Sequence, residues 1–199
     1  MTKIFLSPSD QKANTYASGN TNEAEVCCKI ADAVEKHLSQ YKDVSVKNDQ
    51  LNTMQGRVSA SNIFGADVHV CIHTNACNEH TAGGTRVFYY SETSKGKQIA
   101  KCVFDELAPL TPTAPDKMVT YPSLYEIKNA KAPTVYCECE FHDVPKQADW
   151  ILAHIDEIGG AIARGLAKYF NLQKKDEKGT MEITVDCSKY STIKINLNS

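Results

Sequence analysis

From Lys3 to Phe170, segments whose apolar residues alternate one by one are separated by segments whose apolar residues recur every three or four positions. Period two marks a strand and a period near 3.6 marks a helix, so strict alternation of the two predicts an α/β domain. Residues 3–7 read as strand, 22–41 as helix, 44–47 as strand and 54–64 as helix. The first helix carries the clearest signals. Asn22 stands at its N-cap, Glu25 at the capping-box position, and Ala24, Cys27, Cys28, Ala31, Val34 and Leu38 form one apolar stripe. In residues 65–75, Val68, Val70 and Ile72 alternate with His69, Cys71 and His73, a buried strand that ends on His73 and Asn75.

Further along, residues 85–90 read as strand. Ser94 caps a helix bearing Ile99, Cys102, Val103 and Leu107, and the Pro- and Thr-rich residues 109–122 read as loop. Residues 124–127 suggest a short strand, 133–141 a core strand, and 145–170 a helical region that Gly159-Gly160 would bend or divide. The expected architecture is a single mixed, mostly parallel sheet flanked by helices on both faces, in one domain over residues 1–172. The charged residues 173–180 read as a linker. Residues 181–199 read as a short β-like appendage, too small to fold by core burial alone: the start of a truncated second module or an added hairpin on the main sheet, and a candidate oligomerising segment.

A net charge of -2 offers no global attraction for nucleic acid or an anionic membrane. No apolar run reaches the roughly 20 residues needed to span a bilayer, and Met1-Thr2-Lys3 passes straight into a strand without a signal-peptide core. The expectation is a protein made in the cytoplasm without membrane insertion. The eight cysteines lack metal-binding or miniprotein spacing and read as reduced, small core residues.

Three polar residues stand where packing alone does not ask for them. His73 closes a strand, Glu23 opens a helix beside the helix dipole's positive end, and Glu138 interrupts an apolar strand. A glutamate is rarely buried without a partner, and a metal ion or a catalytic water would supply one.

The ordered set Leu6-Ser7-Pro8, Asn22-Glu23, Arg57, Ser61-Asn62, Ala66-Asp67, Ile72-His73-Thr74-Asn75-Ala76, Gly83-Gly84-Thr85 and Ala132-Pro133-Thr134-Val135 before Glu138 resembles the type-3 N-acetylmuramoyl-L-alanine amidases, clostridial and phage endolysins among them. The resemblance covers residues 2–171 and implies a Zn2+-dependent hydrolase. Its reaction would cut the amide between the lactyl group of N-acetylmuramic acid and L-alanine in bacterial peptidoglycan. The same resemblance implies action on the cell wall, in phage lysis with a holin-type pore as the release route. It makes Glu23 and His73 metal ligands and Glu138 the catalytic carboxylate.

This chain departs at the first ligand, where Pro8-Ser9-Asp10-Gln11 replaces the family's Pro-Gly-His-Gly and Asp10 takes the histidine's place. Aspartate can bind zinc, but a second carboxylate would lower the net charge of the zinc unit from near +1 to near zero. His142 is the alternative third ligand, on the premise that Glu138, Glu140 and His142 share a strand face. Arg57 reads as a structural ion-pair or capping residue and Asn75 as an anchor for the loop after His73. Tyr89, Tyr90, Tyr121 and Tyr125 are candidates for lining a substrate groove. Two rival functions are a peptidoglycan-binding module that has lost activity through the change at position 10, and a thiol hydrolase using Cys137 or Cys139 with His142.

Overall fold

A computed structural model of the chain describes residues 1–175. The elements run β1 (Thr2–Pro8), α1 (Glu23–Leu38), β2 (Val44–Asn48), α2 (Met54–Phe64), β3 (Val68–Asn75), β4 (Arg86–Tyr89), α3 (Lys95–Leu107), β5 (Lys117–Thr120), α4 (Tyr125–Asn129), β6 (Thr134–Phe141), α5 (Pro145–Ala153) and α6 (Ile155–Tyr169). The six strands form one sheet in the order β2-β1-β3-β6-β4-β5, and every neighbouring pair is parallel except β6 with β4. The mixed, mostly parallel α/β sheet matches the expectation.

Strand alternation separates two chemically different faces. Ile4, Leu6, Val68, Val70, Ile72, Val87, Val135 and Cys137 are buried in the main core with Val26, Ile30 and Val34 of α1, Val103 and Leu107 of α3, and Ile158, Ile162 and Leu166 of α6. Each such side chain contributes about 1.5–3 kcal/mol by leaving water, and this layer dominates the domain's stability. Helix α6 lies against both α1 and α3, and two glycines permit the approach. A Cβ on Gly159 would stand 2.5 Å from the Ala33 Cβ, and one on Gly165 2.5 Å from the Val103 Cα. The opposite face carries Ser7, His69, Cys71, His73, Tyr136 and Glu138, with α2 and α4 packed beside it.

Three expectations are corrected. Within the expected loop 109–122 lies β5, a four-residue edge strand whose Lys117 and Thr120 face solvent, too short and polar to announce itself. The expected strand at 124–127 is α4. Five residues are too few to display a helical period, and burial of Glu126 and Ile127 decides the conformation. The long helical region divides at His154 (φ −121°, ψ 25°), while Gly159-Gly160 stays helical because its lack of side chains serves packing on α1.

Residues 173–175, the first of the expected linker, lie against the domain: the Lys42 amide donates to the Gln173 carbonyl (2.8 Å) and the Lys175 amide to the Gln40 carbonyl (2.7 Å). The remainder of that linker and the appendage at 181–199 lie outside the described residues. All seven described cysteines are free thiols. Among the described residues no helix is long and apolar enough to cross a membrane.

Candidate active site

Glu23 reaches its place because α1 begins where the sequence says. The Asn22 side chain accepts the Glu25 amide (3.1 Å), and the Glu23 amide donates to the Asn14 carbonyl (2.8 Å). His73 is delivered by the carboxyl end of β3 and held by the Tyr136 ring, stacked on it at 4.4 Å. The two meet with Nδ1 of His73 2.8 Å from Oε1 of Glu23, both residues buried. Asn14 Nδ2 donates to the second Glu23 oxygen at 2.7 Å. Burial alone would raise the Glu23 carboxyl, but the His73 hydrogen bond and charge, with Asn14 and Ser9, outweigh it and hold it below its usual range. Burial pulls the His73 imidazole down, yet Glu23 and Glu138 together raise it above its usual value.

Glu138 stands directly across the β3–β6 ladder from His73. Its Oε2 is buried without a hydrogen-bond partner among the described residues, as is Nε2 of His73. Burial pushes the Glu138 carboxyl up to about 7, with Glu23 adding to the rise and His73 opposing it. A carboxyl poised near neutrality is suited to accepting and returning a proton.

Asp10 is not gathered into this group. Both it and the adjacent Gln11 are exposed, but Asp10 has Oδ2 3.5 Å from Nη1 of buried Arg57, while Gln11 places Nε2 3.5 Å from His73 Nδ1. Glu138, Glu140 and His142 do not share one face. The β3–β6 register shifts after His73, Glu140 adopts φ +70°, and alternation is lost there. The Glu140 carboxylate accepts the Gly84 amide (2.9 Å) and the Thr113 hydroxyl (2.7 Å), which makes it an anchor for the loop before β4. His142 stacks on Tyr16, its Nδ1 2.9 Å from Thr74 Oγ1 and 3.0 Å from the Thr74 carbonyl; burial lowers its pKa. Asn75 anchors its loop, accepting the Ala76 amide at 2.8 Å. Tyr89 is buried, whereas Tyr90, Tyr121 and Tyr125 are exposed.

Sequence reasoning missed a second polar group on the same face. Among the described residues, one set of three His, Cys or carboxylate donors lies within 4.8 Å of one another: His69, Cys71 and Glu126. Glu126 Oε1 lies 3.1 Å from His69 Nε2, accepts the Ser7 hydroxyl, and sits 4.0 Å from Arg57 Nε. Burial would raise this carboxyl, but His69 and Ser7 keep it low. The guanidinium already supplies its countercharge, and the set is sealed from solvent, so it reads as a buried ionic network rather than a catalytic centre with an open position. The alternation of His69 and Cys71 with His73 was the available signal. Glu126 gave none, because its segment resembled a strand.

The donor chemistry at Glu23 and His73 fits a metal ion. An imidazole nitrogen and a carboxylate oxygen converge, both buried, beside the unpartnered Glu138 oxygen. A thiol nucleophile does not fit. Cys137 and Cys139 are fully buried, and burial pushes the Cys137 thiol up to about 12.

Fold and site together define an α/β domain in which Glu23, His73 and Glu138 converge near the carboxyl end of the parallel strand β3. Residues 5–168 match the N-acetylmuramoyl-L-alanine amidase family, and the chain belongs to that family. It is 28% identical over 184 residues to the N-acetylmuramoyl-L-alanine amidase CwlM of Bacillus licheniformis, covering 87% of this chain and 71% of that protein. It is 25% identical over 210 residues to the sporulation-specific N-acetylmuramoyl-L-alanine amidase of Bacillus subtilis (strain 168), covering 100% of this chain and 79% of the relative. The fold resembles the catalytic domain of CwlV, an N-acetylmuramoyl-L-alanine amidase from Bacillus (Paenibacillus) polymyxa var. colistinus, with a TM-score of 0.77 at 20% identity, over 87% of this chain and 100% of that one.

Proposed function

We propose that this chain cleaves the amide between the lactyl group of N-acetylmuramic acid and L-alanine in peptidoglycan, with Glu23 and His73 holding a metal ion and Glu138 moving the proton. The observation that carries this reading is the 2.8 Å convergence of Glu23 and His73 beside a carboxyl poised near neutrality. Zn2+ is the ion of choice for a mixed nitrogen and oxygen donor set, and when bound it supplies Lewis acidity toward the amide carbonyl and the attacking water. Glu138 takes a proton from that water as its oxygen adds to the carbonyl carbon, then delivers the proton to the departing alanine nitrogen as the C–N bond breaks. The Tyr136 ring fixes the His73 imidazole in the plane it needs. Exposed Tyr121, edge-on to Phe88, extends the aromatic surface from Tyr136 and suits packing against sugar or stem peptide.

Membership in an amidase family, with both site carboxylates and His73 in place, favours an active enzyme over an inert binder. From the same resemblance we infer a lytic, endolysin-type role reached through a holin-type pore. The test combines metal analysis of purified protein with release of new amino termini from purified peptidoglycan, before and after chelation and metal restoration. Stoichiometric metal and chelator-sensitive release, absent in Glu138→Ala, is the expected result. Wall binding without release, even with added metal, would establish the binding module instead.

A further inference from the structure

We infer that Gln11, and not the neighbouring Asp10, supplies the third protein donor of the metal site, an inference that rests on the metal reading above. The turn after β1 sends these adjacent side chains in different directions. The Ser9 amide donates to the Ile72 carbonyl at 2.9 Å, tying the turn to the end of β3, and the Ser9 hydroxyl accepts the Gln11 amide at 3.2 Å. From that fixed turn Asp10 reaches Arg57. The guanidinium is itself held in place, donating to Ser7 Oγ at 2.8 Å and the Asn52 carbonyl at 2.7 Å. Gln11 reaches His73 instead, meeting the same Nδ1 that faces Glu23. Asn14 braces the cluster by donating from one amide nitrogen to Gln11 Oε1 (3.0 Å) and Glu23 Oε2 (2.7 Å).

Donors bound tetrahedrally at about 2.0–2.1 Å lie roughly 3.3 Å from one another. The separations of 3.5 Å from Gln11 to His73 and 2.8 Å from His73 to Glu23 bracket that spacing. A half-turn of the carboxamide about its Cγ–Cδ bond exchanges nitrogen for oxygen at the His73 side, giving up one neutral hydrogen bond from Asn14. For Asp10 to serve, it would have to leave the Arg57 cation.

Charge favours the same choice. A neutral carboxamide with neutral His73 and ionised Glu23 leaves a divalent ion with a net charge near +1, the value of a site with two histidines and one carboxylate. Asp10 would reduce it to near zero. Gln11 therefore replaces a histidine without altering the ion's electrostatic power, at the cost of a weaker, harder donor that relaxes selectivity toward ions such as Co2+ and Mn2+.

The test is direct titration of metal-free full-length protein with Co2+, read by visible absorption, and with Zn2+, read by calorimetry. The variants are Gln11→Ala, Gln11→His, Asp10→Ala and His142→Ala, with circular dichroism confirming that each folds. Gln11→Ala is expected to weaken binding by roughly tenfold or more, Gln11→His to tighten it and shift the Co2+ bands, and Asp10→Ala and His142→Ala to stay within about threefold of wild type. Unchanged affinity in Gln11→Ala overturns the inference while leaving the metal reading intact, as does a loss of affinity confined to Asp10→Ala or His142→Ala. A wild-type protein that takes up neither ion overturns both.

Discussion

Glu138 combines two effects of one burial. Its carboxyl, raised to about 7, shares a proton near neutrality, and Glu138→Gln removes that exchange while keeping shape and volume. Amine release should fall by about 10²–10⁴-fold with metal affinity little changed, which product assay and metal titration on the same preparation would check. Stability should respond oppositely. Because the folded-state pKa lies above the unfolded value, the protonated carboxyl favours the fold below about pH 4.5, and that contribution is lost as pH rises through about 7. In metal-free protein, Glu138→Gln should therefore gain stability over wild type between pH 5 and pH 8, on the order of 1–3 kcal/mol, measurable from urea midpoints at the two values. Glu23, His73 and Glu138 were legible as residues in tension with their surroundings. Which of Asp10 and Gln11 approaches His73 was not, because the Ser9–Ile72 tie and buried Arg57 set those directions from elsewhere in the chain.

Elements with strong local signals formed where their sequences indicate: Asn22 caps α1, Thr53 caps α2 and Ser94 caps α3, each side chain accepting an amide three residues on. Elements defined by partners did not announce themselves. Helix α4 exists to bring Glu126 to Ser7, His69 and Arg57, a network joining β1, β3, α2 and α4. Glu126→Ala would remove the buried acceptor shared by Ser7 and His69 and leave the Arg57 guanidinium with exposed Asp10 as its carboxylate partner, and should cost about 3–5 kcal/mol in chemical denaturation, whereas Glu126→Gln, which can still accept from Ser7, should cost less. The contact between α1 and α6 offers an independent check. Gly159→Ala drives a methyl to 2.5 Å from Ala33 Cβ and should destabilise by about 1–3 kcal/mol, with amidase activity per folded molecule preserved.

At the scale of the domain, helix packing covers one sheet face with apolar side chains, while the other carries His69, His73 and Glu138 along β3 and β6. An ion bound by Glu23 and His73 links α1 to β3 and stabilises the fold by mass action. At a free concentration 100 times its dissociation constant it should add about 2.7 kcal/mol, seen as a rise in thermal midpoint that chelation reverses and Glu23→Ala abolishes. The sequence by itself determined the α/β class, most element positions, the capped start of α1 and the candidacy of Glu23, His73 and Glu138, because periodicity, capping and unexplained polarity are local properties. Only the tertiary structure decided the edge strand β5, the helical state of α4, the face that Glu140 and His142 lost at the bulge, and the approach of Gln11 to His73. Each of these depends on a partner tens of residues away, which no local pattern encodes.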